Sequence, residues 1–478
     1  MKQQPNIVFI ISDDQGYWSL GCGGNQEIIT PNIDRLAAQG MRFDNFFCAS
    51  PVCSPARATL LTGTIPSQHG IHDWLRDDDE RQASLEYLAG QYSYTRALAE
   101  QGYCCALSGK WHMGASGTVQ QGFTHWFSHK SGGGSYYGAP MYRDGILYQE
   151  ERYVTDAITD DAVSFLESMR ETDQPFYLHV AYTAPHAPWL KNHPKEYTDL
   201  YENCPFNSVP HLPRHPDSIY LTDEVAKDER ANLVGYFAAV TAMDAGIGRI
   251  LQKLDDTDMA QDTLVIFTSD NGFSCGHHGF WGKGNATFPL NMYEESVKVP
   301  FIIRHPGHIP QGVVCDALVS AYDFMPTLMD YLGLKISDTV ERPGVSFAPV
   351  LRGESFVQRE DIVVLDEYGP NRMIRGRRFK YIARYPYGPN ELYDLETDPG
   401  ETRNLLKEGG FTGVEQEMRL RLETWFSNYV NPEIDGVKEA VFGCGQTGLA
   451  GLWGKGIPAH SCDDYIRENH NFTPYKIR

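Results

Sequence analysis

The chain has 478 residues with the 41% hydrophobic content of an ordinary globular protein, and its formal net charge at pH 7 is −21. This length is too great for one ordinary core, so we expect two domains, or one large domain with a smaller one. The negative charge argues against nucleic acid and anionic membrane surfaces as general partners.

The first predicted element is a buried strand at 6–12, which is apolar, β-branched and too short to cross a membrane. No other stretch predicts a membrane span, and no signal peptide is recognisable. We therefore expect a protein that is either cytoplasmic, or periplasmic or secreted with its leader already removed. The sequence leaves this choice open.

Strands and helices then alternate along the chain. A helix is predicted after Thr30 as N-cap, with Pro31 at its first position and Gly40 at its end. Further apolar strands are predicted at 103–108, 176–182, 263–268 and 299–304, and helices at 154–170, 230–254 and 323–332. Apolar strands separated by helices predict an α/β fold with a mixed, mostly parallel sheet sandwiched by helices.

The pattern changes in the last quarter of the chain. A stretch rich in proline and glycine at 337–360 predicts loops, and short antiparallel strands are predicted at 372–375, 379–384 and 391–394. A helix at 414–429 and a glycine-rich tail follow. We therefore divide the chain into a larger catalytic domain, 1–363, and a C-terminal α+β subdomain, 364–478, with a small antiparallel sheet and a helix.

The most informative motif is Cys53-Ser-Pro-Ala-Arg57, followed by Ala-Thr-Leu-Leu-Thr-Gly. Pro55 is well placed to open a helix, and Arg57 follows Cys53 by one helical turn, so both side chains would share one face. The free N–H groups of a helix N-terminus and the guanidinium together favour an anion beside a reactive cysteine. The alternatives are a buried cysteine in a helix cap, or a disulfide from Cys53 to Cys48.

Polar side chains also follow the carboxyl ends of four predicted strands, where ligands bind in open α/β sheets. In chain order these residues are Asp13 and Asp14, then Lys110 and His112, then His186, then Asp270 and Asn271. The carboxylates and the amide are hard oxygen ligands, which suit Ca²⁺ or Mg²⁺ rather than zinc. The lysine and the histidines, with Lys283, can neutralise an anion and transfer protons.

These motifs resemble the signature of type I sulfatases, whose fold is the alkaline-phosphatase-like α/β sandwich. The similar segments, in chain order, are S-D-D-Q, C-S-P-A-R-A-T-L-L-T-G, G-K-W-H-M-G, P-H-A-P, S-D-N-G and H-G-F-W-G-K-G. The similarity continues in R-M-I-R-G-R-R-F-K-Y and E-L-Y-D-L-E-T-D-P-G-E of the C-terminal subdomain.

The resemblance implies a nucleophile and a metal site. Cys53 would be oxidised by a formylglycine-generating maturation enzyme to formylglycine, an aldehyde whose hydrate attacks sulfate esters. A Ca²⁺ ion, or Mg²⁺ in its place, would be held by Asp13, Asp14, Asp270, Asn271 and the residue at position 53.

The resemblance also implies roles for the remaining polar residues. Arg57 would stabilise the hydrate, and Lys110 and Lys283 would bind sulfate. His186 would protonate the leaving alcohol after one hydroxyl of the hydrate attacks sulfur. His112 would then deprotonate the second hydroxyl, which expels sulfate and restores the aldehyde.

The expected substrate is a sulfated glycan oligosaccharide. The chain looks most like bacterial glycosaminoglycan sulfatases that act on the 2-O-sulfate of unsaturated hexuronate in heparan or chondroitin sulfate. The alternatives are an N-acetylglucosamine-6-O-sulfatase, a choline or aryl sulfatase, a phosphonate or phosphate monoester hydrolase, and a non-catalytic glycan-binding relative. Residues expected to contact the sugar are His72, Trp74, His125, Lys130, His278, Arg372 and Arg375.

Overall fold

The computed structural model describes residues 4–356, 359 and 363–460. Its strands are β1 (Asn6–Ser12), β2 (Met41–Phe47), β3 (Cys104–Lys110), β4 (Phe123–His129), β5 (Ala139–Arg143), β6 (Ile146–Glu150), β7 (Phe176–Ala181), β8 (Thr263–Ser269), β9 (Ser274–Cys275), β10 (Trp281–Gly282), β11 (Lys298–Arg304), β12 (Val313–Cys315), β13 (Val319–Ser320), β14 (Val363–Tyr368), β15 (Asn371–Arg375), β16 (Phe379–Arg384) and β17 (Glu391–Asp394). Parts of the predicted loop 337–360 and the end of the predicted subdomain, 461–478, lie outside the described residues.

The helices complete the description of the secondary structure. They are α1 (Pro31–Ala38), α2 (Cys53–Thr62), α3 (Pro66–His69), α4 (Glu80–Ala83), α5 (Tyr94–Glu100), α6 (Val154–Met169), α7 (Lys195–Thr198), α8 (Tyr220–Val225), α9 (Glu229–Asp256), α10 (Glu294–Val297), α11 (Phe324–Leu332), α12 (Ala348–Leu351) and α13 (Thr412–Tyr429).

One large mixed sheet organises the fold, in the order β12-β2-β11-β8-β1-β7-β3-β4-β5-β6, with β13 beside β2. The central strands β8, β1, β7, β3 and β4 run parallel, whereas β11 is antiparallel to both of its neighbours. The predicted mixed, mostly parallel α/β sheet is therefore confirmed. Because the central strands are parallel, the carboxyl ends of β1, β3, β7 and β8 meet at one edge of the sheet.

The central strand β1 is buried on both faces, which explains its continuous apolar sequence. Phe9 and Ile11 belong to a core that also contains Phe301 and Phe324, while Val8 and Ile10 belong to the core on the opposite face. Such double burial holds the strand ends rigidly, and this rigidity is what a site at the sheet edge requires.

The sequence did not predict the outer strands, of which β2 and β4 are the clearest examples. β2 contains charged and half-buried residues because it lies near one side of the sheet. The strand β4 contains His125, which the sequence analysis expected to contact the sugar rather than to lie in a strand. Polar residues within β2 and β4 interrupt the continuous apolar run that marks a central strand.

Thr30 precedes α1 as predicted, but its hydroxyl does not cap the helix. The carboxylate of Asp244, from α9, instead accepts hydrogen bonds from the backbone N–H groups of Asn32 at 3.1 Å and Ile33 at 2.8 Å. A cap supplied by a distant helix cannot be read from local sequence.

Among the described residues, α9 alone has the length and composition of a membrane-crossing helix, although no span was expected. Of its most apolar window, 78% is buried inside the protein. Side chains such as Phe237, Val240 and Ile247 are fully buried in the cores described above or beside them. The apolar surface of α9 is therefore covered by the protein itself.

The strands β14 to β17 form a separate antiparallel sheet in sequential order, against which α13 packs. Three of these strands and α13 were predicted. The domain boundary at 363 remains a prediction. The first strand of the small sheet, β14, begins at this residue.

A buried cluster of charges joins the small sheet to α10 of the larger part. Lys380 on β16 lies 2.7 Å from Glu401 and 3.3 Å from Glu294, and Arg375 lies 3.0 Å from Glu294. Burial raises the pKa of Glu401 to about 7, although the charge of Lys380 opposes this rise.

We expect Lys380→Met to destabilise the protein by about 3–5 kcal/mol, because it leaves two buried carboxylates with less compensating charge. The loss should be larger at pH 8 than at pH 5. The pKa of Glu401 is higher in the folded protein than its ordinary value of 4.5, so this carboxyl stabilises the fold fully below pH 4.5. That contribution is lost as the pH rises through about 7. Denaturant unfolding at both pH values measures this, with Lys195→Met, an exposed ion-pair lysine, as the matched control. Equal losses in the two variants would contradict the prediction.

Candidate active site

Cys53 is the first residue of α2 and is only 2% exposed. Its Sγ lies 2.8 Å from Nζ of Lys283 and 3.3 Å from Oδ1 of Asp13. Burial raises the pKa of the thiol far above its ordinary value, and the charge of Asp13 raises it further. Within the described part of the chain Cys53 forms no disulfide. Burial therefore disfavours the thiolate, which is the nucleophilic form of cysteine.

The carboxylates that follow β1 and β8 converge beside this cysteine. Ligand atoms of Asp13, Asp14, Asp270 and Cys53 all lie within 4.8 Å of one another. Asn271 donates from Nδ2 to Oδ1 of Asp14 at 2.9 Å, while its own buried Oδ1 has no hydrogen-bond partner among the described residues. Clustered carboxylates with an unsatisfied amide oxygen fit a hard divalent cation such as Ca²⁺ or Mg²⁺.

Each carboxylate of this cluster also contacts a buried cation. The closest contacts join Arg57 to Asp270 at 2.8 Å, Lys110 to Asp13 at 2.6 Å, and Lys283 to Asp14. Burial alone would raise the pKa of Asp270, but Arg57 above all, and then the two lysines, hold it well below its usual range. A bound divalent cation would coordinate the carboxylates in place of the lysines, which would then be free to bind an anion.

His112 is buried, and its hydrogen bonds define its tautomer. Its Nε2 donates to the backbone carbonyl of Leu75 at 3.0 Å, so Nδ1 carries the lone pair, and Nδ1 has no partner among the described residues. Burial lowers the pKa of His112 well below its ordinary value, and the charge of Lys110 lowers it further. The ring is therefore neutral and can accept a proton at Nδ1.

His186 occupies the opposite position, toward the opening. Its Nδ1 donates to the carbonyl of Ala187 at 2.7 Å, and its Nε2 lies 3.6 Å from Oδ2 of Asp14. The side chain is 28% exposed, so Nε2 can exchange a proton with a group that enters from solvent.

Two glycines pass closely over these histidines. A Cβ atom on Gly132 would lie 2.1 Å from Cε1 of His112, and one on Gly133 would lie 2.8 Å from the ring of His186. Both distances are too short for any side chain, so these glycines fix the space in which the two rings sit.

We expect Gly132→Ala to lower kcat by about 10- to 100-fold, because the added methyl group displaces His112 from its place beside the nucleophile. Steady-state kinetics measure the effect, and thermal unfolding confirms that the variant is folded. Gly413→Ala is the control, since a Cβ atom there meets nothing within 4 Å. A Gly132→Ala variant as active as the control would show that His112 can move without cost.

A cavity of about 540 Å³ leads from the solvent to these groups. The lining includes Asp14, Cys53, His112, His186 and Lys283, together with Gly132, Gly133 and Trp74, of which Trp74 was expected to contact the sugar. Its apolar walls come from Trp74, Ile219, Leu221, Phe273 and Phe442.

Three of the predicted sugar contacts lie elsewhere. His72 is fully buried with its Nε2 on the carbonyl of Ile434, and His278 is paired with Glu295. His125 lies 2.8 Å from Asp161 and lines a different surface pocket. The sequence shows where a histidine lies in the chain, but it does not show which group its ring contacts in the folded protein.

The predicted basic contacts do not line the cavity either. Arg372 pairs with Glu367 and Asp435, both at 2.8 Å, and Arg375 is used in the buried cluster with Glu294. Lys130 does not line the cavity, but it lies 4.0 Å from Asp77, which does. The charges of Arg372 and Arg375 are therefore already compensated inside the protein.

Sequence reasoning also missed several lining residues. They are Asp77, Ser131, Arg214, Asp223, Asn285 and Phe442. They come from segments far apart in the chain, mostly loops, and no local pattern distinguishes them from ordinary surface residues.

The comparisons with known proteins agree with this geometry. Residues 5–334 match the Sulfatase family, and residues 276–428 match the family described as N-sulphoglucosamine sulphohydrolase, C-terminal. The chain is 28% identical to an N-acetylglucosamine-6-O-sulfatase of Bacteroides thetaiotaomicron, over 92% of this chain and 89% of that protein. It is 30% identical to an ulvan-active sulfatase of Formosa agariphila, over 88% of this chain and 80% of that protein.

A solved structure of a protein in complex with its substrate, D-glucosamine-2-N,6-O-disulfate, is also similar. It superposes with a TM-score of 0.76 at 26% sequence identity and covers 91% of this chain and 100% of that one. Both the matched family and the fold thus extend over the strands that carry the site. The chain therefore belongs to the sulfatase family and is an enzyme that hydrolyses sulfate esters of sugars.

Proposed function

We propose that this sulfatase removes the 6-O-sulfate of an N-acetylhexosamine at the end of a sulfated glycan. The observation that carries the proposal is the charge of the outer cavity. Among its described lining residues, those outside the sulfate-binding centre include two carboxylates, Asp77 and Asp223, and a single guanidinium, Arg214.

Two of these outer charges pair with each other, since Arg214 makes a bidentate contact with Asp223, at 2.7 and 3.0 Å. Asp77 accepts a hydrogen bond from Ser131 at 2.9 Å and lies 4.0 Å from Lys130, which is not among the lining residues. A uronate carries a carboxylate in addition to its sulfate, and that second charge would meet no uncompensated cation among these residues. A hexosamine that carries a single sulfate has no such group to place.

The shape of the cavity supports the same substrate class. A volume of about 540 Å³ falls in the usual range for small-ligand sites, and the aromatic rings of Trp74 and Phe442 can cover the apolar face of a sugar. Similar proteins include the N-acetylglucosamine-6-O-sulfatase named above and an N-acetylgalactosamine-6-sulfatase of Canis lupus familiaris, which is 29% identical over 75% of this chain and 68% of that protein. The uronate 2-O-sulfate expected from the sequence is therefore the less favoured substrate.

The residues at the base of the cavity have separable roles. In this family the hydrate of an aldehyde formed from the cysteine would supply the nucleophilic hydroxyl, and a divalent cation held by the acidic cluster would withdraw charge from the sulfate. Lys110 and Lys283 bind sulfate oxygens, and Arg57 holds Asp270 in place. His186 donates a proton from Nε2 to the leaving sugar oxygen, and His112 accepts a proton at Nδ1.

The test uses protein co-expressed with a formylglycine-generating enzyme. Sulfate release is measured from N-acetylglucosamine 6-sulfate, N-acetylgalactosamine 6-sulfate, an unsaturated uronate-2-sulfate disaccharide and choline sulfate. We expect kcat/KM for one of the hexosamine 6-sulfates to exceed that for the uronate by about 100-fold or more, because a mismatched charge leaves polar groups unpaired. A preference for the uronate or for choline sulfate would overturn the proposal.

A further inference from the structure

The last described segment of the chain returns to the active site after α13. We call residues 431–460 the C-terminal strap. It lies beyond both matched families, which end at residues 334 and 428. Phe442 and Gly443 of the strap line the cavity, and Nε1 of Trp74 donates to the carbonyl of Gly443 at 3.1 Å. The strap is therefore part of the site although the matched families do not reach it.

Gln446 connects the strap to the loop that follows α3. Its side chain is fully buried and makes three hydrogen bonds, accepting from the N–H of His72 at 2.8 Å and donating to the carbonyls of Gly70 and Gly448 at 2.9 Å. A buried amide with both ends satisfied holds its backbone in one position, since any shift would leave polar groups unpaired.

The backbone of Gln446 is hydrogen-bonded to the residues on both sides of Leu75. Its N–H donates to the carbonyl of Trp74 at 2.7 Å, and its carbonyl accepts from the N–H of Arg76 at 3.0 Å. These two bonds form a parallel bridge opposite Leu75, so the orientation of the Leu75 peptide groups is fixed by the strap.

Leu75 in turn contacts both halves of the catalytic centre. Its N–H donates to Oγ of Ser54, beside Cys53 in the first turn of α2, at 3.0 Å. Its carbonyl accepts from Nε2 of His112 at 3.0 Å. The same carbonyl therefore decides which nitrogen of His112 carries the hydrogen and which can accept a proton.

We propose that Gln446 is a positioning residue of the sulfatase reaction, which acts through Leu75 to fix the ring and the tautomer of His112. This inference rests on the proposed role of His112 as proton acceptor. Gln446 does not contact the substrate or the nucleophile. Its loss should therefore affect the chemical step and leave substrate binding nearly intact.

The test replaces Gln446 by methionine, which keeps the volume and removes the three side-chain hydrogen bonds. With 4-nitrophenyl sulfate and the best sugar substrate as probes, we expect kcat to fall by about 10-fold while KM changes by less than about twofold. In a protein that already carries His112→Ala, adding Gln446→Met should lower kcat by less than about twofold relative to His112→Ala alone. The reason is that both changes remove the same function. Full additivity of the two changes, or unchanged kcat in the single variant, would overturn the proposal.

Two further measurements separate this inference from other failures. Leu452→Ala alters the strap at a side chain that is 71% exposed and does not line the cavity, and it should leave kcat and KM unchanged. A crystal structure of the Gln446→Met protein needs no substrate, and we expect the His112 ring to have left the Leu75 carbonyl. An unmoved ring would contradict the proposal even if the substrate assignment holds, whereas a wild-type protein inactive on all esters would contradict only the proposed function.

Discussion

Replacing Asp270 by alanine is expected to lower sulfate release by at least about 1,000-fold and to remove the bound divalent cation in the same step. Asp270 supplies one of the clustered carboxylates and is also the partner of Arg57 at 2.8 Å. Without it the cation loses a ligand, and the buried guanidinium loses its closest counter-charge. Activity and metal content, measured by elemental analysis on the same purified sample, should therefore fall together.

The control for this change is Asp77→Ala, which removes a carboxylate from the same cavity but outside the acidic cluster. Its metal content should equal that of the wild type. If the Asp270→Ala protein kept its metal but lost activity, the role of Asp270 would be to pair with Arg57 and not to bind the cation. A protein that loses the metal and stays active would remove the cation from the chemistry.

Cys53→Ala is the second change with a large expected effect, a loss of turnover by at least about 10,000-fold. The reason is that position 53, which lies between Lys283 and the acidic cluster, is the position that the family converts to a nucleophile. Substrate binding should persist, because Lys110, Lys283 and the cavity walls are unchanged. Equilibrium binding of N-acetylglucosamine 6-sulfate, together with the turnover assay, measures both effects.

Cys48→Ala provides a matched control, because Cys48 is equally buried in the segment just before α2. We expect this variant to retain activity within about threefold of the wild type, with a modest loss of stability from the small cavity. If both cysteine variants were equally inactive, the loss at position 53 would reflect packing rather than chemistry.

The centre of the fold and the centre of the site were accessible from the sequence for the same reason. Strand β1 is buried on both faces, so its apolar run is continuous, and the residues that follow it, Asp13 and Asp14, are placed by the sheet itself. The same holds for Asp270 after β8. Where the regular backbone ends at a sheet edge, sequence position determines position in space.

The periphery was not accessible because its contacts are made by distant segments. Arg372 and Arg375 were expected to be available to bind the sugar. In the folded chain each is paired with a carboxylate that lies far from it in sequence or that only the fold brings near. Arg214 and Phe442 line the cavity from loops without a local signal. Gln446 reaches Leu75 only through the return of the C-terminal strap, a contact across most of the chain.

The most direct test of the central claim is sulfate release from N-acetylglucosamine 6-sulfate, measured by ion chromatography with protein whose aldehyde at position 53 is verified by mass spectrometry. The same chain, expressed without the maturation enzyme and retaining Cys53, serves as the reference. We predict rapid release by the matured protein and essentially none by the reference, because a cysteine lacks the second hydroxyl that would expel sulfate from the covalent intermediate. Equal release by the two forms, or none by the matured form from any hexosamine 6-sulfate, would contradict the account.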